Sequence, residues 1–480
     1  MSGLSRACAG SHSFKQENVL GTSFEMMVVA DSNTDAAKAW QAALNEIFAL
    51  EMVLSTWRKD SEISALNSKN EAVVSDSLFQ LLRQCERYRV ATQNAVSCRI
   101  GGLISAWRQA EHRGRVPLET EMRVKAQEIK VASLGLDAKK SRVRRPNNVV
   151  FAVDAIAKGW ILDRAAKAAI EADRKVAGVM LNIGGDIKIA GDLAEHKPVV
   201  GIAGPGAGDN EFPMDKITVA KGGIASSGGG MRDLIIEGRA YSHIISPETG
   251  MPQSSVASAT VVAPTAAEAD VLATAFSVMG VGRSLGYANS HEGVETVIIT
   301  SGGGRFTSKG WPALMVAVQP QSAAGAGIDN AWPADYLLEI EYELPLISVS
   351  NYEAPYVAVW VTGSNNQLVR SLLLLGKEPR WVEENYRYWR RYGRKHPAIV
   401  DTLAQPTRKP GRYRLVWDGR DEQGIPVPKG TYTLHVEASR EHGAHSYARH
   451  DMTLTDGPSE ASIPAQAEIG EITLQYGAAE

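Results

Sequence analysis

Asp270 and Thr274 stand four residues apart in Ala263-Pro-Thr-Ala-Ala-Glu268-Ala-Asp270-Val-Leu-Ala273-Thr274, a run of helical composition. At that spacing their side chains share one helix face. A carboxylate, a hydroxyl and nearby backbone carbonyls are hard oxygen ligands. They suit Mg²⁺, which binds few protein groups and keeps room for substrate phosphate; the plainer reading is a polar stripe. In Asp154-Ala-Ile-Ala-Lys158-Gly159 the small residues let a ligand approach a helix start and Lys158 supplies a cation; an ordinary helix start has the same look. Leu181-Asn-Ile-Gly184-Gly185-Asp186 either exposes backbone N–H groups to a phosphate or ring, or closes a hairpin. Gly222-Gly-Ile-Ala-Ser226-Ser227-Gly228-Gly-Gly230-Met-Arg232 offers hydroxyls, N–H groups and an arginine to a diphosphate, or is a flexible glycine loop. Tyr241-Ser-His243-Ile-Ile245-Ser-Pro247-Glu-Thr249-Gly250 places a histidine before a rigid turn, where it either serves a cleft or is structural. No Gly-Lys-Ser/Thr follows these loops, which argues against a P-loop NTPase. No Gly-x-Gly-x-x-Gly sits between a strand and a helix.

Composition narrows the classes further. The 480 residues carry a formal charge of -3, which argues against a basic nucleic-acid coat or a polybasic membrane anchor. Three cysteines, Cys8, Cys85 and Cys98, are too few for a disulfide framework, and no Cys-x-x-Cys offers a zinc or redox site. No apolar run approaches the roughly 20 residues of a membrane span. Met1 to Asn18 is polar and lacks the apolar core of a secretory signal, so a soluble, unexported chain is expected unless a leader was omitted.

Elements must hold those residues. Strands are expected at Glu25–Ala30, Val149–Val153, Val179–Ile183, Pro198–Ile202, Ile217–Val219, Ser258–Val262 and Thr296–Thr300. Helical spacing marks Thr34–Leu54, Ser75–Ala95, Ile156–Ala172 and Asp270–Met279. Interleaved strands and helices give an α+β or α/β domain over about residues 19–318. Residues 319–333 are Ala/Gly/Gln-rich and read as a linker. Beyond them, over 334–475, alternating runs at Tyr336–Leu344, Tyr356–Val361, Arg412–Trp417, Thr431–Val436 and Ser446–Leu454 read as a small all-β, sandwich-like domain. There Asp418 and Asp421 suggest either Ca²⁺ or a turn, with the turn favoured. The aromatic and basic run Tyr386–His396 reads as cover for a sandwich edge or as a contact for an acidic partner.

In order and spacing the patches resemble the ApbE family, the FAD:protein FMN transferases. Gly21-Thr22 precedes the first strand, and Ser55-Thr-Trp57-Arg-Lys-Asp-Ser61-Glu62-Ile-Ser64-Ala-Leu66-Asn67 matches a further family segment. The Ile-Ala-Lys-Gly, Asn-Ile-Gly-Gly-Asp, Ser-Ser-Gly, His-x-Ile-x-Pro-x-Thr-Gly and Ala-Pro-Thr-Ala-x-Glu-Ala-Asp-x-x-Ala-Thr motifs follow, from about Gly21 to Val318. The second domain resembles the DUF2271 type, and Tyr413–Gly424 also resembles an FlgD-type immunoglobulin-like pattern.

The resemblance implies an ApbE-like (T-fold-like) catalytic domain that transfers FMN from FAD to a Ser/Thr hydroxyl of an acceptor flavoprotein, releasing AMP. FAD pyrophosphatase activity and a non-catalytic flavin-binding module are the alternatives. It implies Mg²⁺ at Asp270 and Thr274 with backbone oxygen from Ala155 or Ala273. It places Lys158 and Ile245 on FAD, Trp57 against the flavin or adenine, Leu20 against the flavin, and Ser226 and Ser227 at the phosphate or acceptor site. His243 sits by the diphosphate or the attacking hydroxyl, with Lys158 neutralising phosphate charge. It implies a periplasmic location where a leader exists. Two segments depart from the family pattern: Ala152 stands at the usual first Asp, with Asp154 two residues later, and Val96–Leu103 replaces the usual Phe-Asp-containing segment.

Overall fold

The structure is a computed structural model. It describes residues 10–193, 198–205, 213–229, 233–316, 332–333, 336–347, 353–376, 384–395, 404–405, 407–408, 410–422, 425–441 and 443–478. The chain divides into two compact units, the first of Met1–Gly206 and Met214–Val316 and the second of Ala207–Pro213 and Ala317–Glu480. The expected linker lies mostly outside the described residues.

The first unit is built on one eight-stranded sheet: β1 (Gly10–Val19), β2 (Thr22–Ala30), β3 (Val176–Ile183), β4 (Asp186–Gly191), β5 (Gly222–Gly228), β6 (Val256–Ala263), β7 (Glu295–Thr300) and β8 (Arg305–Thr307). Spatial order follows chain order and every neighbouring pair is antiparallel. The helices are α1 (Asn33–Leu54), α2 (Glu62–Asn67), α3 (Asp76–Ala91), α4 (Gly101–Arg113), α5 (Glu119–Val131), α6 (Asp154–Glu171) and α7 (Ala266–Met279). The helices α1, α6 and α7 share a core with the sheet: Ala39, Ala43 and Ile47, then Ile156, Leu162 and Ala165, then Leu272 and Phe276 pack with Phe24, Val28, Val179 and Leu181. A separate cluster gathers Ile187, Ile189, Val262 and Val297 with Val200, Ile217 and Trp311. Alternation along the strands supplies residues to two faces.

Several local expectations change. Ser226 and Ser227 are on strand β5, not in a flexible loop; the glycines before them let the strand run against α7, since a Cβ on Gly223 would meet Ala266 Cα at 2.3 Å. Val149–Val153 forms only an isolated bridge, Val150 with Ile100. The helix α3 stops at Ala91 rather than Ala95, because Gln93 and Asn94 turn the chain at positive φ (52° and 67°). The polar N-terminal stretch supplies strand β1, paired with β2 from Gly10 to Gln16 and again at Val19, with an irregularity between. Cys85 and Cys98 are joined as a disulfide, a bond that counting cysteines does not reveal.

The second unit is a sandwich of antiparallel strands. One sheet orders β12 (Gly411–Trp417), β9 (Tyr336–Leu344), β16 (Ile472–Ala478) and β15 (Ser459–Ile463). The other orders β11 (Leu368–Leu375), β10 (Tyr356–Gly363), β13 (Gly430–Ser439) and β14 (His445–Leu454), with Ala404–Gln405 parallel at the edge. Leu338, Ile340 and Leu474 from the first meet Val357, Val359, Leu434 and Val436 from the second in one core. Tyr388 and Tyr392, from the basic aromatic run, pack on Trp360. Asp418 and Asp421 accept the backbone N–H groups of Arg420 and Ile425, the bonds of a turn.

Candidate active site

One cleft of the first unit, with a volume of about 370 Å³, collects residues from five of the patches. The helices α6 and α7 form its base. They approach so closely that a Cβ on Gly159 would lie 2.1 Å from the Ala266 carbonyl oxygen. That contact sets Lys158, on the first turns of α6, beside the face of α7 that carries Asp270 and Thr274; all three line the cleft. Asp270 is buried and its Oδ2 accepts the Gly159 N–H at 3.0 Å. The helix α7 is capped by Thr265, whose Oγ1 accepts the Glu268 N–H, while Asp163 of α6 accepts the N–H groups of Ala266 and Ala267. Three orphan donors at that terminus are thereby satisfied.

The Asn-Ile-Gly-Gly-Asp segment is a two-residue hairpin between β3 and β4, with Ile183 opposite Asp186 and both glycines at positive φ (58° and 95°). Such a turn needs that backbone at both central positions. It also brings Gly184 to the cleft and buried Asp186 to Lys158, whose ammonium it pairs. The segment is the hairpin of the two readings: the Gly184 N–H donates to the Ser23 carbonyl and the Gly185 N–H to Asn182 Oδ1, and the cation expected at Lys158 is already held by a carboxylate.

His243 also lines the cleft. Its Nδ1 lies 3.2 Å from Oδ1 of Asp233, which also accepts the His243 backbone N–H. The carboxylate fixes the ring, and Nε2 makes no hydrogen bond among the described residues. Asp233 follows the glycine segment by sequence but belongs to no matched motif, so only the fold reveals it. The turn after His243 is rigid for a specific reason. Gly250, at φ 71°, donates to the Ser246 carbonyl, and its own carbonyl accepts the Trp107 indole N–H at 2.8 Å. Ile245 is thereby set into the cleft. Ser226 and Ser227, consecutive on β5, both border the cleft, and Ser226 Oγ lies 2.8 Å from Thr260 Oγ1. Gly230, Met231 and Arg232 lie outside the described residues.

Ala155 lines the cleft, whereas Ala273 does not: it is buried in α7 and its carbonyl accepts the Ser277 hydroxyl at 3.0 Å. Leu20 occupies the β1–β2 turn at φ 52° and packs against the main core. Trp57 is 71% exposed, with the Arg108 guanidinium 4.1 Å above its ring, and is outside the lining. Its segment serves the site through Asn67, whose side chain bonds Phe151 on both N–H and C=O and so fixes the entry to α6. The two departing segments are both on the cleft. Ala152 and Asp154 line it together, with the Thr56 hydroxyl 3.4 Å from the Asp154 carboxylate, and Ala95, Val96 and Ser97 form a wall.

The cleft thus presents oxygen donors on α7, a paired lysine, a close glycine turn at Gly184 and a carboxylate-oriented histidine. Such a set suits an anionic phosphate chain and a proton transfer beside it. No group of three or more His, Cys, Asp or Glu side chains suited to a metal occurs among the described residues. No helix among them is long and apolar enough to cross a membrane.

Comparison with known proteins gives two family matches: the ApbE family over residues 20–298, and a predicted periplasmic protein family (DUF2271) over residues 337–471. The FAD:protein FMN transferase of Treponema pallidum is 30% identical over 309 residues, 59% of this chain and 83% of that protein. The protein of the same name from Haemophilus influenzae is 25% identical over 304 residues, 60% of this chain and 86% of its own. Among solved structures, the ApbE protein of Thermotoga maritima superposes with a TM-score of 0.57 at 25% identity, over 64% of this chain and all of that one. The flavin transferase ApbE of Vibrio cholerae shares the fold, with a TM-score of 0.52 over 64% of this chain and 99% of that one, at 22% identity.

Proposed function

This chain belongs to the ApbE family, and from that premise we propose that it transfers FMN from FAD to a Ser or Thr hydroxyl of an acceptor flavoprotein, releasing AMP. The observation that carries the reading is the convergence of His243 with Asp233, Lys158 with Asp186, and Asp270 with Thr274 on one cleft.

FAD enters with its diphosphate toward α6 and α7. The Asp270 carboxylate, the Thr274 hydroxyl and the Ala155 carbonyl are hard oxygen donors in the cleft lining, the chemistry Mg²⁺ prefers. A bound Mg²⁺ would supply charge neutralisation to the phosphates. Ala273 is not part of this set, since its carbonyl is taken by Ser277. The Gly159 N–H holds the Asp270 carboxylate in place. Lys158 is held by Asp186 and faces phosphate charge as a positioned cation.

The acceptor hydroxyl approaches the FMN-side phosphorus from the His243 side. The imidazole takes the hydroxyl proton as the oxygen–phosphorus bond forms, while Asp233 steadies the resulting imidazolium. The bond from that phosphorus to the bridging oxygen breaks and AMP carries the bridging oxygen away. FMN is left joined to the acceptor by a phosphoester. Ser226 and Ser227 border the cleft beside the phosphates.

Incubation with FAD, Mg²⁺ and a purified candidate acceptor tests this. A flavin-fluorescent acceptor band with one AMP per label is expected. AMP and free FMN without labelling would make water the acceptor, and bound FAD without turnover would leave a flavin-binding module.

A further inference from the structure

Cys85 and Cys98 are bonded with their Cα atoms 5.8 Å apart. The next residue on each side is paired as well: Arg99 grips Glu86 with Nε on Oε1 at 2.7 Å and Nη2 on Oε2 at 2.6 Å. Two consecutive residues of α3 are thus tied, one covalently and one by a forked ion pair, to two consecutive residues that follow the cleft wall Ala95–Ser97. The other end of that wall is fixed too. Thr92 caps α3 with its hydroxyl on the Tyr88 carbonyl, and the Asn94 N–H reaches back to Arg89. Cys85, Cys98 and Arg99 are at most 5% exposed. Arg99 also donates to the Ala132 carbonyl, and the Cys98 carbonyl accepts the N–H of Ala152, itself in the cleft lining. The wall is therefore an irregular stretch with no strand ladder of its own, held at both ends by α3.

Resting on the flavin reading of this cleft, we infer that Cys85–Cys98 and Glu86–Arg99 are a positioning clamp for FAD: they set the wall Ala95–Ser97 in its binding position before FAD arrives. A wall ordered in advance spares the ligand the cost of ordering it, so the clamp acts on FAD affinity rather than on the phosphoryl step. Closing the covalent half takes two electrons and two protons from the two thiols, delivered to a disulfide oxidant that becomes a dithiol. The chain is thus fully competent only after folding where such oxidants are present.

The test measures FAD affinity by flavin fluorescence, and KM and kcat for FAD-dependent turnover. It compares the oxidised wild-type chain, with the bond verified by thiol counting and mass, with Cys85→Ser/Cys98→Ser and with Arg99→Lys, which keeps the charge and loses the fork. Kd and KM for FAD are expected to rise about tenfold in the double variant, with kcat at saturating FAD within about twofold of wild type. Arg99→Lys should move in the same direction by a smaller factor, and it carries the test if the double variant does not fold. A merely structural bond would lower the melting temperature and leave Kd at 20 °C unchanged. Equal Kd for oxidised wild type and either folded variant would overturn the clamp alone. No FAD binding by the oxidised wild type would overturn the flavin reading with it.

Discussion

Gly159 donates its backbone N–H to Asp270 Oδ2 at 3.0 Å across the α6–α7 contact, and that contact leaves no room for a side chain. A methyl group would stand 2.1 Å from the Ala266 carbonyl oxygen and 2.7 Å from Ala267 Cα. Both are backbone atoms, so relief requires the helices to separate. Gly159→Ala should cost about 1–3 kcal/mol in stability. It should also weaken FAD turnover, because Lys158 and Asp270 are positioned by the same contact. Thermal unfolding and turnover measured on one preparation check this. Unchanged melting with unchanged activity would show that the helices slide apart freely.

Asp270→Asn separates charge from geometry. An amide oxygen still accepts the Gly159 N–H, so unfolding should change by less than about 1 kcal/mol. The anionic oxygen donor is lost, and Mg²⁺-dependent turnover should fall at least about 100-fold. The decisive plot is rate against Mg²⁺ concentration. A wild-type curve from the variant would remove Asp270 from the metal site.

His243→Gln should lower kcat by about 100-fold or more with little change in FAD affinity, since the imidazole is assigned to the acceptor proton. Asp233→Asn should lower kcat by a smaller factor, because the ring remains but its tautomer and tilt are no longer fixed by a carboxylate. Single-turnover labelling of the acceptor distinguishes the two roles. Equal losses in Kd and none in kcat would place His243 in flavin binding instead.

Periodicity located the elements whose faces are strongly amphipathic. Both α1 and α6 lie within two residues of expectation, and β9 coincides with its alternating run. It missed α4 and α5, although Leu103, Trp107 and Ala110, and then Met122, Ala126 and Ile129, carry the helical spacing. Their polar residues between the buried ones hid the stripe. Strand β5 was hidden differently: its glycines read as a loop, yet they are there because α7 crosses the strand at close range. The site residues near motifs were legible because each motif is a local turn or helix start with a backbone reason for its residues. Asp233, the Glu86–Arg99 pair and the Cys85–Cys98 bond were not, because each depends on a contact between elements that no local pattern encodes.

The second unit offers a pH test independent of flavin chemistry. His435 on β13 is 5% exposed and stacks on Trp360 with ring centroids 4.8 Å apart. Its Nε2 lies 2.9 Å from Thr362 Oγ1 and its Nδ1 2.8 Å from the Tyr447 hydroxyl. Burial pushes the imidazole down from 6.5 to about 4, with Arg449 and Arg391 pressing the same way and Asp451 opposing. The neutral ring is therefore the folded form. Between about pH 6.5 and pH 4 the unfolded chain binds this proton and the folded chain does not. Stability from His435 is fully present above pH 6.5 and declines as pH falls through that window. His435→Gln keeps a polar group at the site and removes the titration. At pH 7 the variant should be less stable by about 1–3 kcal/mol, the lost packing and hydrogen bonding of the ring. Toward pH 4.5 that gap should narrow, because only the wild type loses stability through this group. Urea midpoints of the second-unit transition in the full-length chain, read at pH 7 and pH 4.5, supply the comparison. A gap that stays constant would mean that His435 takes up its proton at the same pH folded and unfolded.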